Sequence, residues 1–409
     1  METAIDTQNT LELNNSIENQ NSILEFEIEA QTKDLNRALG LLSSVVEKKN
    51  VIPVLSNVKL TVNDSLLTLT ATDMDLSIAE QINIQPIKSG ELTVAAKTLS
   101  DIVRHISDET VKLKYVPETE QLMVLGENCQ FNLSTLPAHE FPTLEQTDSI
   151  AKFNIPSDNL ARLIDNTKFS ISTEETRYNL NGIYFHIMTE GENKFFAAAS
   201  TDGHRLSLAY TEAPENVTSI GIILPKKAAL ELQKILKDTQ CVDHEVVVDL
   251  SNTKAKFVCN KITLISKLID GNFPDYQAFI PKNNNNKLAI DSKQLASAIN
   301  RVATITVEKF RAIKMEISTE GVEFSAFGEA RGSAREYIKA GKESAKGGSF
   351  VYEGDSSLSI GFNPKYITDV LDAVKGREVS IELRDSFSPA VIRDTSDPHS
   401  LFVVMPIKV

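Results

Sequence analysis

The chain lacks the signatures that would mark it as an enzyme of a familiar class. It has no phosphate-cradling G-x-x-x-x-G-K-[ST] loop, no G-x-G-x-x-G turn, no H-E-x-x-H metal pair and no G-x-S-x-G elbow. Its six histidines (105, 139, 186, 204, 244 and 399) are scattered, and none has a second histidine at ligand spacing. The three cysteines, Cys129, Cys241 and Cys259, are odd in number and widely spaced, so they read as small buried apolar residues in a reducing compartment. No metal or cofactor is expected. Residues 1–24 contain no Lys or Arg, which excludes both a secretory signal with a basic start and an arginine-rich transit peptide. Rich in Asn, Gln, Glu and Ser, they are expected to form a disordered polar tail. No run approaches the roughly 18 apolar residues of a membrane span, and a cytoplasmic protein without membrane contact is expected. An excess of positive charge is also missing. The formal net charge of -14 argues against a general nucleic-acid coat. It leaves open a protein whose basic residues are gathered on one surface.

What the chain does contain is repetition. Val94-Ala-Ala-Lys-Thr-Leu-Ser-Asp-Ile102 recurs in outline as Leu224-Pro-Lys-Lys-Ala-Ala-Leu-Glu-Leu232 and as Phe362-Asn-Pro-Lys-Tyr-Ile-Thr-Asp-Val370. Each copy has an apolar residue three positions before a lysine (Lys97, Lys227, Lys365) and an acid four positions after it (Asp101, Glu231, Asp369). Helical spacing puts Leu99, Ile102 and Ile106 on one face of the first copy, and Ala228, Ala229, Leu232, Ile235 and Leu236 on one face of the second. Lys97 with Arg104, and Lys227 with Lys234, then form a basic outer stripe. The third copy departs from this, with Asp372 seven residues after Lys365.

Upstream of each lysine helix the same prelude occurs. Strands begin near Ile28, Phe153 and Leu288, and helices follow with apolar faces at Leu35, Ala38, Leu39 and Leu42; Leu160, Leu163 and Ile164; Leu295, Ala298, Ile299 and Val302. Thr32, Ser157 and Asp291 are the expected N-caps. Arg37 and Arg162 share one polar position, which Ser297 fills in the third copy. Alternating hairpins come next: Val58 to Val62 with Leu66 to Thr70, Gly182 to Met188 with Lys194 to Ala198, and Ala312 to Ser318 with Val322 to Phe327. The lysines stand well over 100 residues apart, so each repeat is a full domain rather than a solenoid unit. Boundaries are expected near Thr147 and in the Asn283–Asn286 run, which gives domains over 25–147, 148–283 and 284–409. Each is α+β, with two helices on one face of antiparallel sheets.

Two arguments about function follow from the residues alone. Ser200-Thr-Asp-Gly-His-Arg205 gathers a hydroxyl, a carboxylate and an imidazole, and a hydrolase or transferase using Thr201, Asp202 and His204 is one reading. Triad members normally converge from separate elements, so an Asp-Gly turn between strands is the better reading, with a binding loop as a third. The helices suggest an assembly. Six helices, each about 10 Å across, leave a hole on the order of 10 Å in a circle, whereas twelve from two chains leave roughly 25–30 Å. Duplex DNA needs roughly 20 Å. A dimer would admit it, and basic helices lining the hole would meet phosphates.

The threefold repeat, Thr201-Asp-Gly-His-Arg-Leu206, Asp270-Gly-Asn-Phe-Pro-Asp-Tyr276 and the ending Val403-Val-Met-Pro-Ile407 together resemble the bacterial DNA polymerase III β subunit, the sliding clamp, from about Leu24 to Val409. The resemblance implies three tandem DNA-clamp domains closing head-to-tail into a homodimeric ring around double-stranded DNA of any sequence. It implies a processivity factor, not an enzyme, that is placed by a clamp loader and tethers the replicative polymerase and other proteins carrying a clamp-binding motif. The implied peptide pocket comprises Leu180, Thr201, Gly203, His204, Arg205, Leu206, Pro274, Phe279, Asn363 and Tyr366, with Val403, Val404, Met405, Pro406 and Ile407. In that pocket, Arg and His donors would orient a polar peptide end. Implied DNA-facing residues are Lys49, Arg104, Arg177, Tyr178, Lys226 and Lys227, and implied dimer contacts are Phe131 and Ile305.

Overall fold

The computed structural model describes residues 26–46, 51–145, 148–215, 217, 219–306, 312–328, 331–341, 350–354 and 357–409. The expected tail 1–24, Lys49 and Thr147 lie outside the described residues. The chain divides into two compact units: residues up to Asp148 with Lys256–Ser266, and Ser149–Ala255 with Lys267–Val409.

In the first unit, eight antiparallel strands bond in a closed circuit. From Glu27–Gln31 the order runs through Thr110–Val116, Gln121–Leu125, Gln130–Leu136, Glu91–Ala95, Asn57–Asn63 and Leu66–Thr72 to Leu76–Lys88, which bonds back to Glu27–Gln31. The later strand Ile262–Lys267 adds to Leu76–Lys88, with Ser266 opposite Leu76. Helices α1 (Thr32–Leu42) and α2 (Ala96–His105) pack on each other. As the spacing predicts, α1 buries Leu35, Ala38, Leu39 and Leu42. In α2 the buried face is Ala96, Leu99 and Val103, not Leu99, Ile102 and Ile106. The helix ends at His105, and Ile106 is already extended, which rotates Ile106 off the helical face and leaves Val103, one turn after Leu99, in the core.

The second unit holds a nine-stranded antiparallel sheet that passes from the second repeat into the third. Its order is Gly221–Pro225, Gly182–Glu190, Asn193–Thr201, Arg205–Glu212, Ser400–Val404, Ala390–Asp394, Glu378–Leu383, Asn286–Asp291 and Phe350–Glu353. The crossing pair sets Arg205 opposite Val404 and Leu206 opposite Val403. A further four-stranded sheet runs Gly332–Lys339, Gly321–Gly328, Ile313–Ser318 and Leu358–Phe362. Among the described residues, four α-helices belong to this unit: α3 (Ser157–Thr167), α4 (Lys226–Leu236), α5 (Ser292–Ala303) and α6 (Pro364–Ala373). Their buried faces include Leu160, Leu163 and Ile164 on α3, the five predicted residues of α4, and Leu295, Ala298, Ile299 and Val302 on α5. Phe324 and Phe362 fill the third-repeat core beneath α5 and α6.

One backbone contact repeats three times and explains how the helices begin. The first helical N–H of α1, α3 and α5 donates to the carbonyl just before a strand: Thr32 to Glu109 (2.9 Å), Ser157 to His244 (2.9 Å) and Ser292 to Arg377 (2.8 Å). Thr32 and Ser157 are therefore the first residues of their helices and not the expected N-caps, since the orphan donor is satisfied from the sheet. Asp291 does cap α5, accepting from Gln294 N at 2.9 Å. The Asn283–Asn286 run is tied down too, for Asn284 is buried and donates to Glu382 O and Pro389 O, both at 2.9 Å. Buried and paired side chains of this kind anchor a connection rather than loosen it.

Candidate functional site

Where the second and third repeats join inside the second unit, a cavity of about 270 Å³ opens. It is lined by Leu180, Thr201, Gly203, His204, Arg205, Leu206, Pro274, Tyr276, Phe279, Val403 and Met405. One wall is a turn folded around a carboxylate. Asp202 Oδ1 accepts the backbone N–H groups of His204 (2.9 Å) and Arg205 (3.0 Å), while Thr201 Oγ1 donates to Arg205 O at 2.7 Å. Gly203 takes the left-handed conformation (φ +86), which suits a residue without a Cβ. The second wall is the end of the chain. Strand pairing presents Val403 beside Leu206, and Met405 N donates to His204 O at 2.9 Å. Beyond it, Ile407 N bonds to Gly361 O at 2.8 Å, so the terminus is held on both sides of Pro406.

Arg205 differs from its expected role. Only 8% exposed, its guanidinium donates to Asp202 Oδ2 (3.0 Å), Asp369 Oδ2 on α6 (2.6 Å) and Phe169 O (2.5 Å). It also lies over the Tyr366 ring, 4.6 Å from the centroid. Three of its five N–H donors are thus engaged by the protein, one from each nitrogen, so it shapes the wall rather than standing as a free donor. The imidazole of His204 is exposed and stacks on Tyr366 at 6.2 Å. Asp202 binds the backbone of His204, not its ring. Thr201 donates to a carbonyl, so the three groups form a turn and not a proton-transfer chain.

Five residues expected in the pocket stand outside its lining. Val404 faces the opposite way and is wholly buried in the third-repeat core, as strand alternation requires. Asn363 caps α6, accepting from Lys365 N at 3.0 Å. Tyr366 lies beneath Arg205 and next to His204, and burial raises its phenol pKa. Pro406 and Ile407 follow Met405 in the chain but do not line the cavity. Conversely, Tyr276 lines the cavity without being among the residues expected there, although the Asp270–Tyr276 motif contains it. Behind it sits an aromatic stack: Tyr276 Oη pairs with His186 Nε2 (2.9 Å), His186 stacks on Tyr184 (4.6 Å), and Tyr184 stacks on Phe273 (4.9 Å). Burial drives the His186 pKa down to about 4 and that of Tyr276 up to about 12. Both are neutral at pH 7.

The remaining expected residues are dispersed. Arg177 and Tyr178 lie on the short 3₁₀ segment Glu175–Leu180, which also supplies Leu180 to the pocket. Arg177 pairs with Glu174 and its guanidinium covers Gly203, while Tyr178 is exposed and lies close to Gly271. Lys226 and Lys227 open α4 and are half-buried. Arg104 is exposed on α2 and paired with Asp101 at 2.9 Å. Lys234 pairs with Glu231 (2.8 Å) and Lys365 with Asp369 (2.9 Å), so the basic stripe is partly neutralised by its own acids. Phe131 stands on the mostly exposed strand Gln130–Leu136. Ile305 packs, half-buried, on the third-repeat core just after α5. Among the described residues, no group of three or more His, Cys, Asp or Glu is placed to hold a metal ion.

A domain of paired helices backed by antiparallel sheets, repeated three times with one apolar pocket at a repeat joint, is the build of a DNA clamp. Comparison with known proteins gives the particular family. The chain matches the N-terminal, central and C-terminal domains of the DNA polymerase III beta subunit over residues 24–145, 154–275 and 277–408. It is 47% identical to the beta sliding clamp of Rickettsia felis over 380 residues, 93% of this chain and 98% of that one. Identity to the Escherichia coli beta sliding clamp is 31% over 386 residues, 94% of this chain and all of that one. Among solved structures, the Bartonella birtlesii sliding clamp bound to griselimycin is similar with a TM-score of 0.86 and 34% identity, covering 94% of this chain and 100% of that one. The Caulobacter crescentus clamp, with polyethylene glycol bound to its putative beta-motif tethering region, has a TM-score of 0.87 and 35% identity, covering 94% and 99%. The chain belongs to the DNA polymerase III beta subunit family, the beta sliding clamps, and serves as a processivity clamp in DNA replication.

Proposed function

We propose that two copies close head-to-tail into a ring around double-stranded DNA of any sequence, in the cytoplasm, with no chemistry and no cofactor of their own. The domains run over 25–147, 148–283 and 284–409. The observation that carries this reading is the threefold helix-start contact at Glu109, His244 and Arg377, which marks three domains built alike, as a closed ring of similar units needs. Helix cations, with Lys49, Arg104, Arg177, Tyr178, Lys226 and Lys227, meet phosphates and position the duplex without reading bases, which sliding requires. Phe131 on the first domain and Ile305 on the third form the joint.

The pocket between Thr201–Leu206 and Val403–Met405 receives short peptides from the replicative polymerase, the clamp loader and other clamp-binding proteins. Its chemistry supports this: Leu180, Leu206, Pro274, Val403 and Met405 make an apolar cleft, with His204 exposed at its rim. Griselimycin, which the Bartonella clamp binds, is the probe chosen for this pocket. Retention on DNA tests the ring. The protein, loaded on a nicked circular plasmid, is expected to stay bound through gel filtration and to be released when the plasmid is cut once. Equal retention on cut and uncut DNA would contradict encirclement.

A further inference from the structure

In the first two repeats the acid of the lysine helix pairs with a cation three residues later: Asp101 with Arg104 and Glu231 with Lys234. The third repeat has Asp372 at that later position, and its acid is used differently. Asp369 divides its two oxygens, Oδ1 accepting from Lys365 Nζ (2.9 Å) and Oδ2 from the Arg205 guanidinium (2.6 Å). Lys365 is 60% exposed on α6, whereas Arg205 is buried in the pocket wall and also holds Asp202, around which the turn is folded. Four alternating charges therefore run from an exposed helix cation to the peptide site.

We propose that Asp369 is a shared acceptor that couples the exposed end of α6 to the peptide pocket, so that a polyanion drawing Lys365 away tightens peptide binding. The inference rests on the reading that these helices meet DNA phosphates. With Lys365 withdrawn, Asp369 has one cationic partner in place of two and holds Arg205 more firmly. Arg205 then holds the turn, and a wall already in its bound shape loses less freedom when a peptide docks. Coupling of this kind is reciprocal: a bound peptide fixes Arg205 on Asp369 and frees Lys365 for phosphate. Arg205 and Asp369 act here as positioning residues, since neither needs to touch the polyanion.

Griselimycin affinity, measured by titration on the full-length protein, tests this without DNA. Lys365→Ala should bind about threefold tighter than wild type, Lys365→Arg should restore the wild-type value, and Asp369→Asn should bind about tenfold more weakly. A short duplex at low salt should raise wild-type affinity about threefold and leave Lys365→Ala unchanged. An unchanged or weakened affinity in Lys365→Ala would overturn the coupling. Anisotropy of the labelled duplex in the same samples separates the two readings. A duplex that does not bind would contradict the DNA reading, while the Lys365→Ala comparison still decides the coupling.

Discussion

At the turn between the third and fourth strands of the first domain, Thr72 Oγ1 donates to Leu76 O at 2.9 Å, and Asp73 Oδ1 accepts from Asp75 N (2.9 Å) and Leu76 N (2.7 Å). The matching turn of the second domain repeats this bond for bond, with Thr201, Asp202, His204 and Arg205. Even the left-handed residue recurs, as Met74 (φ 75) in one and Gly203 (φ 86) in the other. Each turn leads into a strand that pairs with a later strand, Leu76 opposite Ser266 and Arg205 opposite Val404. The side chain that closes the turn differs most in its chemistry. Leu76 is buried as plain core, while Arg205 is buried as an ion held by two carboxylates and a carbonyl. The backbone skeleton is thus a device of the fold, and its second copy, with Gly203, His204 and Arg205 in place of Met74, Asp75 and Leu76, lines the cavity.

Breaking that wall should have the largest effect. Arg205→Ala leaves Asp202 and Asp369 without their shared cation, and is expected to cost about 3 kcal/mol of stability and at least a hundredfold in griselimycin affinity. Arg205→Lys keeps the charge but cannot reach three acceptors with one ammonium, so affinity should still fall at least tenfold. Leu76→Ala in the first turn should cost a comparable 2–5 kcal/mol through a cavity, yet leave griselimycin affinity unchanged. Thermal melts beside the titrations check all three. A loss of affinity in Leu76→Ala would show that the two turns are not functionally distinct.

The aromatic stack behind Tyr276 gives a pH dependence. His186 is held neutral, with its folded pKa lowered to about 4 from 6.5. Between those values the unfolded chain binds the extra proton, so stability is fully present above about pH 6.5 and declines as pH falls toward 4. The loss is at most about 3 kcal/mol from this group. His186→Phe should flatten the melting temperature between pH 7 and 5, at some fixed cost from the lost Tyr276 bond. An equally steep profile in that variant would assign the pH dependence elsewhere.

Exchanging the left-handed residues should give the smallest effects, of opposite sign. Gly203→Ala strains a positive φ and brings a Cβ to 2.8 Å from Arg177 Nη1, for a cost of about 1 kcal/mol. Met74→Gly removes the same kind of strain and should gain up to about 1 kcal/mol. Denaturant midpoints shifting in the same direction for both would argue that the two turns are not conformationally equivalent.

Much of this was legible in the sequence. Helical spacing placed Leu35, Leu160 and Leu295 in three cores because each opening helix buries a single stripe, and tertiary packing left that pattern undisturbed. Strand alternation could have separated Val403, which faces the pocket, from Val404, which cannot. Tyr276 stood inside a quoted motif. The partners of Arg205 were another matter. Asp369 lies 164 residues away on a helix of another domain, and an arginine beside a histidine gives no sign of whether its donors face a ligand or the protein. The repeat holds one clue: Asp372 stands where the other copies have a cation, which leaves Asp369 to pair with Lys365 and Arg205.

The central claim is that the second-domain turn and the chain's last residues form one partner site, and removing Met405 to Val409 tests it most directly. The deletion keeps Val403 and Val404, hence the paired core strand, and removes Met405 from the lining together with the Ile407–Gly361 bond. Calorimetric titration of griselimycin into the truncated protein, folded and of wild-type mass by light scattering, should show affinity reduced at least about thirtyfold. Wild-type affinity in that folded protein would contradict the claim.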